Sequence, residues 1–319
     1  MALLRLMFLT HAARAMSGGR STLLLLATAL LLAGCASPAG PAPDVGDVEP
    51  EAAQWTPVGH QAGLVYEREA REPGQVLHWL RLDLQDPTLQ LTLTPPAEKG
   101  RPLDRFDGAA QALAALNASF FTAAFEPRGW TVSEGQAWAP VLAAADSPLL
   151  SCDRLGRCQM TLSPPVPSPP SPWLAVAGTP WLVRNGQARQ PGDDQGCGFC
   201  ITRHPRTAVG LDASGRYLTL VLVEGRQVQA DGLALADLAA RMAARGVHQG
   251  LNLDGGGSTA LLIEGRLVTG RPFNEPALRP LANALLIHTV AHWRIPAAAG
   301  TPAPSPTADR APANPGATP

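Results

Sequence analysis

Asn252-Leu253-Asp254-Gly255-Gly256-Gly257-Ser258-Thr259 sets one carboxylate against three consecutive glycines and two hydroxyls. Glycine has no Cβ and tolerates positive φ, so a run of three can turn several backbone N–H groups toward one anion. Ser258 and Thr259 add hydroxyl donors directly behind it. A loose turn between two strands would use the same small residues. The lead-in Gln249–Leu253, however, reads as a strand that delivers Asp254 to a fixed place. A carboxylate beside a bound anion must carry a cation, be protonated, or face another part of the ligand. The third role fits glycosyl transfer, where an oxocarbenium-like centre develops positive charge. A divalent metal ion held by Asp254 and bridging to the anion is the rival. No dense Asp/Glu cluster of the calcium-loop kind accompanies Asp254, so the sequence demands no cofactor.

Other residues could share this chemistry. Arg206 offers a bidentate fork to phosphate oxygens, with Arg203 and His204 on the same loop; a surface arginine paired with an acid is the plain alternative. Asn117 stands before Phe120-Phe121 with an amide suited to sugar hydroxyls, to orienting Asp254, or to closing a turn. Asn283 sits in an apolar strand, where a buried amide must find partners, either structural or on a ligand. Arg279, four residues before it, is a candidate second anion contact. Phe120, Phe121 and Phe125 read as core. His60, His78, His248, His288 and His292 show no metal-ligand spacing and receive no role. The chain has neither a Gly-x-Ser-x-Gly elbow nor a Gly-x-x-x-x-Gly-Lys loop, which argues against serine esterases and P-loop kinases.

Four segments in one order carry a resemblance. Leu116-Asn117-Ala118-Ser119-Phe120-Phe121, Arg203-His204-Pro205-Arg206-Thr207-Ala208-Val209-Gly210, the Asp254 motif, and Arg279-Pro280-Leu281-Ala282-Asn283-Ala284 together resemble the phosphodiester glycosidase family, over roughly residues 75 to 290. The resemblance implies hydrolysis of the bond between a sugar's anomeric carbon and a phosphodiester oxygen. In that reading Asp254 and Asn117 are the catalytic residues. Arg206, Thr207, Gly255, Gly256, Gly257, Ser258, Thr259, Arg279 and Asn283 bind substrate. The alternatives are a phosphodiesterase that cuts on the phosphorus side and a non-catalytic lipoprotein that binds envelope polysaccharide.

The elements that position these residues are mostly strands. Leu80–Leu84 alternates, turns at Asp86-Pro87, and is expected to pair with Leu89–Leu93. Ala109–Ala115 is helix-prone. Hairpins are expected around Ser133-Glu134-Gly135, Ser214-Gly215 and Glu264-Gly265, one strand over Ala175–Val183, and a last strand over Leu281–Val290. Leu233, Leu235, Leu238, Ala239 and Met242 fall at helical spacing up to Gly246, a C-terminal cap. The class expected is α+β: a single domain of mixed, mainly antiparallel sheets with a few flanking helices. The proline-rich run 164–172 is a surface loop, since proline gives no ladder donor.

Within 319 residues, 45% are hydrophobic and 16% charged, and the net charge is −1. That suffices for a sizeable core and offers no basic field to nucleic acid. Arg5, Arg14 and Arg20 precede the apolar run Leu23–Leu32, an export signal too short to span a bilayer comfortably. Leu31-Leu32-Ala33-Gly34-Cys35 resembles a bacterial lipobox, so residues 1–34 read as signal peptide and Cys35 as the lipidated residue. Residues 35–53 then form a disordered tether, 54–295 the glycosidase-like domain, and 296–319 a Pro/Ala-rich tail. Ala36 after the cysteine points to the outer membrane, facing the periplasm. In an exported chain the other four cysteines favour Cys152–Cys158 and Cys197–Cys200 disulfides over a zinc site. The expected partners are a glycan or sugar-phosphodiester substrate and the membrane. Cys35→Ser is expected to move the protein from the membrane fraction to the soluble envelope fraction; unchanged partitioning would rule the anchor out.

Overall fold

The computed structural model describes residues 55–71, 74–141, 147–162 and 172–290, all within one compact unit. The signal, Cys35, the tether, the proline-rich run up to residue 171 and the tail lie outside the described residues. Antiparallel strands dominate, and every strand pairing described is antiparallel. Two α-helices, Gly198–Ile201 and Leu235–Ala244, occur among the described residues. The architecture is therefore mainly β, more so than the α+β class expected.

The largest sheet has eight strands. Its centre runs Gln75–Asp83, Tyr217–Val223, Arg206–Asp212, Val247–Asn252 and Trp181–Arg184. The middle strands are apolar on both faces, as expected for strands covered from both sides. Leu218, Leu220 and Leu222 point into one core, with Leu80, Leu82, Val209 and Leu211. Val221 and Val223 point the other way, with Leu77, Trp79 and Ala208, onto Leu235, Leu238, Ala239 and Met242 of the long helix. Period-2 strands thus meet a period-3.6 apolar stripe.

Two five-stranded sheets lie against the first core. One contains Pro148–Cys152, Leu174–Ala177 and the hairpin Val132–Ser133/Gln136–Ala137. The other contains Leu261–Ile263, Ala114–Asn117, Ala284–Thr289 and Leu89–Leu93. Leu150 and Leu174 from one and Leu116, Leu261 and Leu285 from the other all enter the core shared with the large sheet.

Three local expectations are corrected. Leu89–Leu93 does not pair with Leu80–Leu84: the earlier strand lies between Gln61–Arg71 and Tyr217–Val223, while Leu89–Leu93 pairs with Ala284–Thr289 in another sheet. Both edges of Gln75–Asp83 are already taken. Ala109–Ala115 is not a helix. Residues 109–113 are turns, and Ala114–Asn117 is a buried strand between Leu261–Ile263 and Ala284–Thr289, so tertiary pairing overrides alanine's helical preference. Ala175–Val183 is two strands in different sheets, separated at Gly178-Thr179-Pro180.

That crossing is packed tightly on the site motif. Gly178 N–H donates to Pro148 O at 2.9 Å and Thr179 N–H to Asn252 O at 2.8 Å. A Cβ on Gly178 would strike the Leu251 side chain and the Asn252 carbonyl. Gly178→Ala is therefore expected to lower stability by about 1–3 kcal/mol, as overpacking does; a urea midpoint equal to wild type would show that the crossing has slack.

Candidate active site

Asp254 lies where two sheets end side by side. Val247–Asn252 finishes beside the start of Arg206–Asp212, with Ala208 opposite Asn252, and Leu253 N–H continues the ladder to Thr207 O at 2.8 Å. Ala114–Asn117 of the other sheet ends at the same point, and Asp254 N–H donates to Ala118 O at 3.1 Å. Asn117 joins the two. Its Nδ2 donates to Asp254 O at 2.5 Å, while its Oδ1 accepts from Thr207 Oγ1 at 2.9 Å and from Ala260 N–H at 3.2 Å.

This geometry selects the orienting reading of Asn117 and the structural reading of Asn283 from those the sequence left open, and takes Thr207 and Arg206 away from the substrate. Asn117 and Thr207 are both fully buried and spent on each other and on backbone. Asn117 is thus a positioning residue for the main chain of Asp254, and Thr207 positions Asn117. Asn283 is likewise buried, accepting from Ser119 N–H and donating to Ser119 Oγ, both at 3.0 Å. It is the structural partner of the two readings left open.

Arg206 is 4% exposed. Its Nε donates to Leu233 O at 3.0 Å, and its Nη2 to Phe199 O at 2.6 Å and Thr202 O at 2.8 Å. The fork that was expected on phosphate instead gathers the loop closed by the Cys197–Cys200 disulfide. Burial, then the charge of Arg226, pulls the Arg206 pKa down to about 10, still charged at neutral pH. Strand alternation explains the reversal: Thr207 faces Asn117, so Arg206 must face the opposite side with Ala208. The second expected disulfide, Cys152–Cys158, is also present.

The glycine run works differently from an amide cradle. Gly256 N–H donates to Pro205 O, Ser258 N–H to Gly255 O and Thr259 N–H to Gly256 O, at 2.8, 3.1 and 3.3 Å. Most of its donors are therefore used internally. What the glycines supply is room. A Cβ on Gly255 would stand 2.8 Å from Pro205 O, one on Gly256 3.5 Å from Arg226 Nη2, and one on Gly257 would overlap the Glu275 carboxylate and the Arg279 guanidinium. Two arginines thus reach the loop beside Asp254. Arg279 is paired with Glu275 and is 41% exposed. Arg226 makes no ion pair among the described residues; its Nη2 bonds His204 Nδ1 at 3.1 Å. His204 is held below the usual histidine range by burial, with the charges of Arg206 and Arg226 adding to it, so it stays neutral and accepts.

Arg226 and Glu275 were not singled out from the sequence. Arg226 adopts φ 55°, a left-handed turn conformation with no motif around it. Glu224, just upstream, explains how that turn is held. Its carboxylate is 2.7 Å from His78 Nε2, and His78 Nδ1 is 2.8 Å from the Tyr66 hydroxyl. Burial pushes Glu224 up, but the His78 bond and charge outweigh it and keep the acid ionised. His78, given no role from the sequence, is the buried support of the Arg226 turn.

Burial raises the Asp254 pKa to about 6, with Ser258, Gly255 N–H and Arg279 pulling back toward ionisation. Ser258 Oγ stands near the carboxylate, yet neither it nor Thr259 Oγ1 nor Asn252 Oδ1 has a hydrogen bond of normal geometry, although all three are buried. Among the described residues no group of three or more His, Cys, Asp or Glu stands together to hold a metal. A cleft of about 760 Å³ opens at the far end of the large sheet, lined by Asp83, Arg154, Arg157, Trp173 and Arg216. It holds none of the motif residues, and its Asp83–Arg216 and Asp153–Arg157 pairs satisfy each other at 2.7 and 2.6 Å.

Comparisons with known proteins agree with the four motifs. Residues 110–288, more than half of the chain, match the family model described as phosphodiester glycosidase. The N-acetylglucosamine-1-phosphodiester alpha-N-acetylglucosaminidases of Bos taurus and Mus musculus are each 34% identical, over 105 and 113 residues. These stretches are 30% and 32% of this chain, and the chain spans only about a fifth of those relatives' length (20% and 22%). The zebrafish catalytic domain of the same name shares the fold, with a TM-score of 0.57 and 20% identity over 72% of this chain and 85% of that one. A hypothetical protein from Synechocystis has a TM-score of 0.52 and 16% identity, covering 75% of this chain and 64% of its own.

Two measurements follow from the site. Asp254 releases its proton near pH 3.8 when unfolded and near 6 when folded, so the native state holds the extra proton between those values. Stability must then fall as pH rises through that window. Asp254→Asn removes the buried charge and is expected to gain about 3 kcal/mol above pH 6, the gain vanishing below about pH 4. Flat wild-type and variant differences across that range would refute the raised pKa. Arg206→Ala strands three carbonyls and is expected to cost about 2–4 kcal/mol in denaturant unfolding. Arg226→Ala should cost less than about 1 kcal/mol, since no carboxylate loses its partner. Equal losses would mean that Arg226 too is structural.

Proposed function

We propose that this chain, which belongs to the phosphodiester glycosidase family, hydrolyses the bond between the anomeric carbon of a sugar and the oxygen of a phosphodiester. The observation that carries this reading is the Asp254 carboxylate, pushed up to a pKa of about 6 by burial and facing the charge of Arg279, at the head of a glycine run that Arg279 and Arg226 both approach. Arg226 and Arg279 hold the non-bridging phosphate oxygens by charge-assisted hydrogen bonds. Arg279 exchanges Glu275 for the phosphate. Ser258 and Thr259 offer hydroxyls to the same ligand. The sugar then lies on the Asp254 side.

At the reacting centre, ionised Asp254 takes a proton from water as the water oxygen bonds to the anomeric carbon. The bond from that carbon to the bridging oxygen breaks, and its electron pair leaves with the phosphomonoester. Positive charge grows on the sugar beside Asp254 and negative charge on the phosphate beside the arginines, so each is met by fixed opposite charge. A phosphomonoester is a good leaving group, which removes the need for a strong acid at the bridging oxygen. The proposal keeps the setting read from the sequence: export, and anchoring to the bacterial envelope through Cys35.

The test starts from an N-acetylglucosamine-1-phosphodiester, the substrate in the names of two relatives. Free sugar plus phosphomonoester is expected; sugar 1-phosphate would place the cut on the phosphorus side, and binding without turnover would make the chain a glycan-binding lipoprotein. Because the ionised acid is the base, kcat should rise through about pH 6; a fall there would make Asp254 an acid. Asp254→Asn is expected to lower kcat on the order of a hundredfold or more, about 2.7 kcal/mol, with little change in KM. Loss in KM alone, restored by added divalent ion, would make Asp254 a metal ligand. Arg226→Lys keeps the charge but loses the fork, and should lower kcat/KM roughly tenfold.

A further inference from the structure

Val228 and Phe273 are the two most exposed large apolar residues among those described, at 103% and 82%. Both adjoin Arg226. Phe273 N–H donates to Arg226 O at 2.8 Å, which ties the 270–279 loop to the Arg226 turn. Val228 lies two residues on, at the tip of a tight turn in which Gln227 and Ala230 exchange backbone bonds at 3.0 and 3.3 Å. Single exposed apolar residues are ordinary. Two at the extreme of exposure, on segments that meet at the Arg226 main chain, ask for a partner.

The site has a direction. The Arg226 guanidinium lies against Gly256, two residues from Asp254. The Arg226 turn and the 270–279 loop both border the glycine run, through Arg226 at Gly256 and Glu275 and Arg279 at Gly257, so with the sugar on the Asp254 side the second ester oxygen of a phosphate is left to those two segments. The group attached through that oxygen would meet Phe273 and Val228. Neither side chain can hydrogen-bond a sugar hydroxyl or a charge, while both gain from covering methylenes.

We propose that the aglycone of the substrate is a long-chain alcohol, whose hydrocarbon lies across Phe273 and Val228. This rests on the reading of the site as a sugar-phosphodiester hydrolase and names the class of substrate that reading left open. Full burial of a methylene is worth about fourfold in affinity. A chain lying on an open surface keeps part of that, so an octyl aglycone should bind at least roughly tenfold tighter than a methyl one.

The experiment uses N-acetylglucosamine-1-phosphate methyl, butyl and octyl diesters, a diester with a hexose aglycone, and the matching non-hydrolysable C-glycosyl phosphonates. Binding of the phosphonates is measured by calorimetry, and kcat/KM on the diesters. Wild type should prefer octyl over methyl and over hexose in both measurements. The octyl-to-methyl ratio, in which any general loss of activity cancels, should fall toward one in Phe273→Ser with Val228→Ser. It should hold in Leu155→Ser, an exposed apolar residue at the far end of the sheet. A ratio near one in wild type, a preference for hexose, or an octyl preference that survives the double substitution would each overturn the proposal. Tight octyl phosphonate binding without cleavage of any diester would refute the hydrolase reading and leave the apolar-chain site standing.

Discussion

The buried amide of Asn117 is the contact on which the site's geometry depends. It closes the end of one sheet onto the end of another, binding the Asp254 carbonyl, the Thr207 hydroxyl and the Ala260 N–H at once. Each of those partners is buried or held in backbone, so removing the amide would strand donors and acceptors with no water to replace it. Asn283, through Ser119, pins the same segment two residues on. Two asparagines thus convert a pair of loose strand ends into a fixed platform. Catalysis by positioned charge needs such a platform, because a preorganised group does not spend the reaction's driving force on reorienting.

Charge on that platform is balanced by proximity rather than by number. Net charge for the whole chain is −1, yet Arg226 and Arg279 both reach the glycine run that follows Asp254, and Arg206 lies close enough to Arg226 to feel its charge. Arg206 turns to the opposite face of its strand and spends its donors on carbonyls, which hold it in place against burial and the charge of Arg226. Arg226 leans on a neutral His204, and Arg279 on Glu275. Glycine at 257 permits the approach of Arg279, since a Cβ there would overlap its guanidinium, and glycine at 255 that of the Pro205 carbonyl, while Gly256 lies in ordinary contact with Arg226. The desolvation that raises Asp254 is the other side of the same packing.

Membership of the phosphodiester glycosidase family accounts for this arrangement at the level of fold and motif. It does not supply every part of the site. Arg226 and the Glu224–His78–Tyr66 chain behind it come from a turn and from two strands whose residues carry no recognisable spacing.

By itself the sequence determined the strand-rich class, the hairpins at Ser214-Gly215 and Glu264-Gly265, the helix ending before Gly246, the two short disulfides and the Asp254 motif. These are local: alternation, turn chemistry, helical spacing and near-neighbour cysteines are all written within about twenty residues. Tertiary structure decided which strands pair, so that Leu89–Leu93 left its sequence neighbour for Ala284–Thr289 and Ala114–Asn117 became a strand. It also decided which face each polar residue meets. Arg206 and Thr207 are adjacent in sequence, yet one gathers a loop and the other holds Asn117, while Arg226 arrives beside Gly256 from a distant turn. A residue's type fixes what bonds it can make; which partners are within reach depends on long-range packing, and no local pattern encodes that.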